Sequence, residues 1–203
     1  MKKILILATL LICKSSFSQQ NFEGIVEYEI QHIKPDFITD SLWLNRKRNL
    51  HFKEIHYYGR EGKYKIEFCS LQDTVVQLFD TKEKMNYIFS EGDKNILKTT
   101  LDFEVDSNIS VEKLTEQKEV LDYNCKCILF NNKLSTVKIC YDSVLYLSPE
   151  DYKSIYINNF NKVILNVKSV PLYIEEKSIT IIKKKAISIK KLTIEDSIFF
   201  IDF

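Results

Sequence analysis

The chain has 203 residues, 45% of them hydrophobic and 28% charged, with 29 basic against 28 acidic side chains. That length fits one domain with a sizeable core, and the near-neutral charge lacks the strong basic excess of a nucleic-acid-binding protein. Only four glycines occur, Gly24, Gly59, Gly62 and Gly92, so no phosphate loop, dinucleotide fingerprint or nucleophile elbow can be assembled and no cofactor is expected.

Residues 1–18 have the three parts of a secretory signal. Lys2 and Lys3 supply the positive start, Ile4–Ile12 the apolar run, and Ser16 and Ser18 the small residues that a signal peptidase reads. Cys13 offers a rival reading, a lipoprotein signal acylated at that cysteine. Cleavage after Ser18 removes Lys2, Lys3 and Lys14, which leaves 26 basic residues against 28 acidic ones and a net charge of −2. Residues 19–203 then form one antiparallel β domain. The mature chain has no apolar run long enough to be a transmembrane helix, so the expected location is periplasmic or secreted.

In chain order, 22–30 predicts a strand. Phe22, Gly24, Val26, Tyr28 and Ile30 share one face, and Glu23, Glu27 and Glu29 the other. The stretch 32–50 is irregular: Pro35 opens it, and Phe37, Ile38, Leu42 and Trp43 give a poor helical stripe, so it reads as a short helix or a flap over the sheet. Loops of that kind often carry binding function. A meander follows, with strands predicted at 49–58, 63–69, 74–79, 84–89 and 94–105, separated by turn residues at roughly ten-residue spacing. Along it, Tyr64, Phe68, Phe79, Tyr87, Phe89 and Phe103 are the apolar aromatic positions.

A hairpin is predicted across 118–141 around Asn131-Asn132-Lys133. Ser148, Pro149 and Asp151 then suit the start of a short helix ending near Tyr156. Strands are predicted at 162–170, from the alternation of Val163, Leu165 and Val167, then at 177–189 and 192–200. The fold class is mostly β (α+β): a single curled antiparallel sheet, or half-barrel, covered by a short helix and a flap.

Four cysteines, Cys69, Cys125, Cys127 and Cys140, remain in the mature chain and are disulfide candidates in an exported protein. Cys125 and Cys127 share one face of the first hairpin strand. A loop of about four residues is read as setting Cys140 opposite Cys125, and a two-residue slip moves it toward Cys127 or Tyr123. Four cysteines allow three full pairings; the preferred one joins Cys69 to one hairpin cysteine and Cys140 to the other. A Cys₃His metal site is less apt, because C-x-C is not the usual knuckle spacing and no histidine lies nearby in sequence. No metal is expected.

His32, His51 and His56 all lie in the first third of the chain. With Glu54, His51 and His56 have the residue types of a metal site or a base, but a strand from His51 to Tyr58 would point them to opposite faces, so they are expected to be surface histidines. Asp102, Glu104 and Asp106 read as a wet strand face, and no catalytic set emerges. Lys183-Lys184-Lys185 and Lys190-Lys191 read as a protected sheet edge.

Four segments come in a telling order: Phe22-Glu23-Gly24-Ile25-Val26-Glu27-Tyr28; Arg60-Glu61-Gly62-Lys63-Tyr64-Lys65-Ile66-Glu67; Leu78-Phe79-Asp80 with Met85-Asn86-Tyr87-Ile88; and Val120-Leu121-Asp122-Tyr123-Asn124-Cys125-Lys126. Together they resemble small exported proteins of Bacteroidetes-type bacteria, including the GLPGLI-type group, which are similar to the LolA/LolB/LppX superfamily of periplasmic lipoprotein carriers. The resemblance implies an antiparallel half-barrel with an apolar concavity. The expectation is a non-enzymatic protein that binds a hydrophobic ligand, such as lipid or lipoprotein acyl chains, against Tyr28, Tyr64, Phe68, Phe79, Tyr87, Phe89 and Phe103. The alternative is an envelope protein–protein interaction module using the segment 32–50.

Overall fold

A computed structural model describes residues 20–93, 95–101, 109–156 and 159–201. The signal 1–18 with Cys13, the candidate Phe103 and the acids Asp102, Glu104 and Asp106 lie outside the described residues.

Eleven strands form one open antiparallel sheet. They are β1 (Gly24–Ile33), β2 (Lys53–Tyr58), β3 (Tyr64–Cys69), β4 (Thr74–Asp80), β5 (Met85–Ser90), β6 (Leu97–Thr100), β7 (Ser110–Val120), β8 (Tyr123–Asn131), β9 (Thr136–Tyr146), β10 (Ser169–Lys177) and β11 (Ile181–Lys191). Their order across the sheet is β6-β5-β4-β3-β2-β1-β11-β10-β9-β8-β7. The first and last strands therefore pair in the middle, and the two halves of the chain meander outward from that pair. The expected class, a mostly β single curled antiparallel sheet, is the observed one.

The alternation in β1 sets the faces. Val26, Tyr28 and Ile30 point inward and are buried, as are Tyr58, Tyr64 and Phe79 on the strands alongside. Two short helices cover this inner face. In α2 (Pro149–Tyr152), Ser148 takes the N-cap position that the sequence predicts, but its side chain makes no capping bond; its backbone N–H donates to Asn21 Oδ1 at 2.6 Å. Gly62, at φ 75°, brings the β2–β3 turn against α2, where a Cβ would collide with the Asp151 carbonyl. Next comes α3 (Phe160–Val167), which buries Ile164 and Val167. A third helix, α1 (Asp40–Lys47), buries none of its residues.

Three expectations need correction, and two strands, β7 and most of β10, are not among those predicted. The segment 162–170 is not a strand: Phe160, Val163, Ile164 and Val167 follow helical spacing in α3, and Leu165, taken as strand-facing, is 60% exposed. The stretch 192–200 does not join the sheet either. It crosses the outer face and ends in a 3₁₀ turn at Asp196–Phe199, where Ile194 and Phe199 cover Leu78, Ile25 and Tyr57. The lysine-rich β11 is a central strand, so its lysines protect no edge. Lys190 instead meets Glu27 at 3.4 Å, and Lys184 turns inward. Finally, β7 is an unpredicted edge strand; only Val120 at its end is buried.

Candidate functional site: a buried carboxylate at the base of a flap

β2 presents Glu54, His56 and Tyr58 to the inner face, opposite Tyr28, Val26 and Gly24 of β1. From the other side of β1, Lys184 of β11 pairs with Ile30 and shares that face. Glu54 has no solvent exposure. Its Oε1 accepts from Lys184 Nζ at 2.7 Å and from His51 Nε2 at 2.9 Å. Its Oε2 accepts from Lys184 Nζ and from His56 Nε2, both at 2.9 Å. A buried carboxylate is tolerated only with such complete pairing. Burial alone would raise the Glu54 carboxyl, but Lys184 and the two imidazole donors outweigh it and hold the group well below the usual glutamate value.

His56 is buried, and burial lowers its pKa despite the Glu54 carboxylate beside it. It is therefore neutral at pH 7, with Nε2–H directed at Glu54. Its Nδ1 accepts from the Tyr64 hydroxyl at 2.7 Å. The chain Tyr64–His56–Glu54 has the hydroxyl–imidazole–carboxylate order of a proton relay. Yet Tyr64 is buried, and burial raises its hydroxyl well above 10. That burial keeps the Tyr64 hydroxyl from solvent, so the three groups form a buried hydrogen-bonded chain.

The network lies at the root of the flap. The chain leaves the sheet after Ile33 at the end of β1 and returns at His51, two residues before β2. His51 lies outside the strand, which is why its side chain reaches the same carboxylate as His56 and the expected opposition of faces does not hold. His32 Nε2 and the His51 carbonyl are 2.8 Å apart, and the two rings meet edge to face at 5.4 Å. His51 also packs edge-on against Phe68 at 5.3 Å. The three histidines, expected to be unconnected surface groups, thus cluster around one carboxylate. Among the described residues, no group of three or more His, Cys, Asp and Glu side chains has a metal-holding geometry.

Beyond this root the flap stands clear of the sheet. Phe37 is 71% exposed, Leu42 59% and Leu44 61%, while Ile38 tucks in. A cleft of about 400 Å³ opens between Phe37, Ile38, Leu42, Asn45, Arg46 and Asn49. Lys34 pairs with Asp40 at 2.6 Å. Arg46, Lys47 and Arg48 at the far end of the helix are exposed.

The aromatic candidates divide between the two faces. Tyr28, Tyr64 and Phe79 are buried inside, and Phe68 is half-buried on the same face. Tyr87 and Phe89 pair with Leu78 and Val76 and so lie on the outer face, where no shared cavity with Tyr28 is possible. On the inner face the rings touch one another. Tyr64 lies 5.2 Å from Phe79 and 4.8 Å from Phe160 of α3, which in turn meets Tyr152 of α2 at 5.8 Å.

The hairpin holds one disulfide, Cys127–Cys140. Its loop has the four residues 132–135, because Asn131 pairs with Thr136, and this register sets Cys127 rather than Cys125 opposite Cys140. Cys69 and Cys125 are free thiols. The preferred pairing of Cys69 with a hairpin cysteine fails on distance. Five strands separate β3 from β8 in the sheet, which is about 29 Å at roughly 4.8 Å per step, far beyond disulfide reach.

No protein-family model matches the chain, and no curated protein matches it significantly. Two crystal structures of PNGF-II are similar to it. The one in space group P21 is 14% identical, with a TM-score of 0.49 over 88% of this chain and 30% of that one. The one in space group C2 is 16% identical, with a TM-score of 0.46 over 87% of this chain and 29% of that one. The chain thus spans less than a third of the length of these structures. Among the described residues, no helix is long and apolar enough to cross a membrane.

Proposed function

We propose that the protein is an exported, non-enzymatic contact module of the cell envelope, delivered by the signal 1–18, in which the flap 34–50 docks a protein partner. The carrying observation is the exposure of Phe37, just ahead of α1, and of Leu42 and Leu44 on α1, a helix that buries nothing. Large apolar side chains beside Trp43 and Arg46 have the composition of a protein-contact patch. The exposed run Arg46-Lys47-Arg48 calls for an acidic surface around the apolar pocket on the partner. A two-turn helix without a continuous apolar stripe suits a protein better than a bilayer. The Cys127–Cys140 disulfide is compatible with an oxidising, extracytoplasmic setting.

The hydrophobic-carrier reading keeps one observation in its favour. The Tyr152 hydroxyl is buried with no hydrogen-bond partner, and a polar atom on a bound molecule would supply one. Such a molecule would have to part the rings of Tyr64, Tyr152 and Phe160.

Replacing Phe37, Leu42 and Leu44 together by serine tests the leading reading, since these exposed positions contribute little to stability. Capture of an envelope protein by the immobilised wild type should weaken on the order of tenfold or more in the variant and fall with added salt, while the melting curve stays in place. Equal capture by both proteins rejects the flap as contact surface. Flap-dependent pelleting with phosphatidylglycerol vesicles, without protein capture, replaces the protein partner by a lipid surface.

A further inference from the structure

The flap is joined to the sheet at the point where the charge network sits. His32 lies one residue before the end of β1 and His51 two residues before β2, so both junctions of the flap carry a histidine. Their contact, His32 Nε2 to the His51 carbonyl at 2.8 Å with the rings edge to face, is a clasp across the flap's base. Behind it lie the groups that face it from each neighbouring element. These are Glu54 and His56 from β2, Lys184 from β11, Tyr28 from β1, and Phe68 and Tyr64 from β3. With His32 and His56 neutral, the Lys184 ammonium and the Glu54 carboxylate face each other, and Glu54 already accepts four hydrogen bonds.

We propose that this cluster makes the attachment of the flap pH-dependent, held at neutral pH and released on acidification as His32 and His56 take up protons beside Lys184. The proposal rests on the flap being the contact surface and supplies its regulation. Each proton adds a positive charge to a half-buried or buried pocket that contains a single carboxylate, whose hydrogen-bonding positions are already filled. Repulsion then acts at the junctions, because His32 and His51 are themselves the hinge positions. The flap is the element that can yield, since α1 has no buried residue to hold it against the sheet.

The direction follows from linkage. Burial lowers the pKa of both His32 and His56 from 6.5. Between the unfolded and folded values the unfolded or opened chain binds more protons, so the closed state loses stability as pH falls below about 6.5 and regains it as pH rises.

Trp43 in α1 is the only tryptophan and reports on the flap without a label. Acrylamide quenching of its fluorescence is measured on the mature protein from pH 7.5 to 4.5, beside far-ultraviolet circular dichroism. The expected result is a rise in quenching as pH falls below about 6.5, with the sheet signal unchanged. His32→Gln is expected to shrink that rise, and His56→Gln to do the same should the first variant not fold. Flat quenching, a rise that tracks loss of the sheet signal, or a full rise in the folded variants overturns the proposal. The test needs no partner, so its failure leaves the docking experiment on the Phe37, Leu42 and Leu44 variant standing by itself.

Discussion

Glu54→Gln is expected to destabilise the protein by about 3 kcal/mol, the largest single effect among conservative changes on the inner face. The change keeps the shape and removes the charge. Lys184 loses its counter-ion, and a side-chain amide now confronts N–H groups of Lys184, His51 and His56 with its own donors. The cost lies at the low end of the range for broken buried pairs because the Lys184 side chain is 23% exposed and has some recourse to water. Urea denaturation at pH 7.5 measures the loss. A companion variant, Glu54→Leu with Lys184→Met, should recover part of it, because no ammonium is then orphaned, while the buried His56 Nε2–H still loses its acceptor. Glu54 is held well below 4.5 in the folded protein. Its contribution is therefore present above about pH 4.5 and is lost only as pH falls further, which separates it from the histidine window at higher pH.

Replacing Cys127 and Cys140 together by alanine is expected to cost about 3 kcal/mol, the loop-closure value for a separation of 13 residues. For a domain of this size the melting temperature should fall on the order of 10 °C. Both cysteines are changed so that Cys125, two residues from Cys127 on the same face, has no new partner. Burial pushes the Cys125 thiol up to about 11, so it stays protonated at neutral pH and does not attack the disulfide. Wild-type protein reduced with dithiothreitol should melt with the double variant; a reduced melt unchanged from the oxidised one would mean that the bond does not constrain the chain.

The sequence carried the strands whose two faces differ. β1 is legible because Val26, Tyr28 and Ile30 alternate with Glu27 and Glu29, and a buried face against a wet one is what alternation reports. β7 was illegible for the same reason inverted: as an edge strand it is wet on both sides, so Glu112, Lys113, Glu116 and Lys118 carry no period. In α3 the sequence supports two periods at once. Val163, Leu165 and Val167 alternate, but Phe160, Val163, Ile164 and Val167 also recur at helical spacing, and docking on Tyr64 and Tyr152 selects the second. The flap was visible through its irregularity. The network at its root was not, because Glu54 and Lys184 stand 130 residues apart and meet only through the pairing of the first strand with the last. A charged residue on a largely apolar strand face, as Glu54 is beside His56 and Tyr58 on β2 and opposite Tyr28 of β1, is the one local signal that could have flagged it.

The most direct measurement of the docking role places a photo-crosslinking amino acid at Leu44 or, as a control, at Leu134 in cells that export the protein. Leu134 is also highly exposed, at 89%, but lies in the β8–β9 loop, outside the flap segment. It therefore controls for apolar exposure alone. A discrete protein adduct from Leu44, lost at Leu134 and reduced by high salt, is the predicted result. Adducts of the same pattern from both positions, or none from Leu44, would contradict a partner docked on the flap.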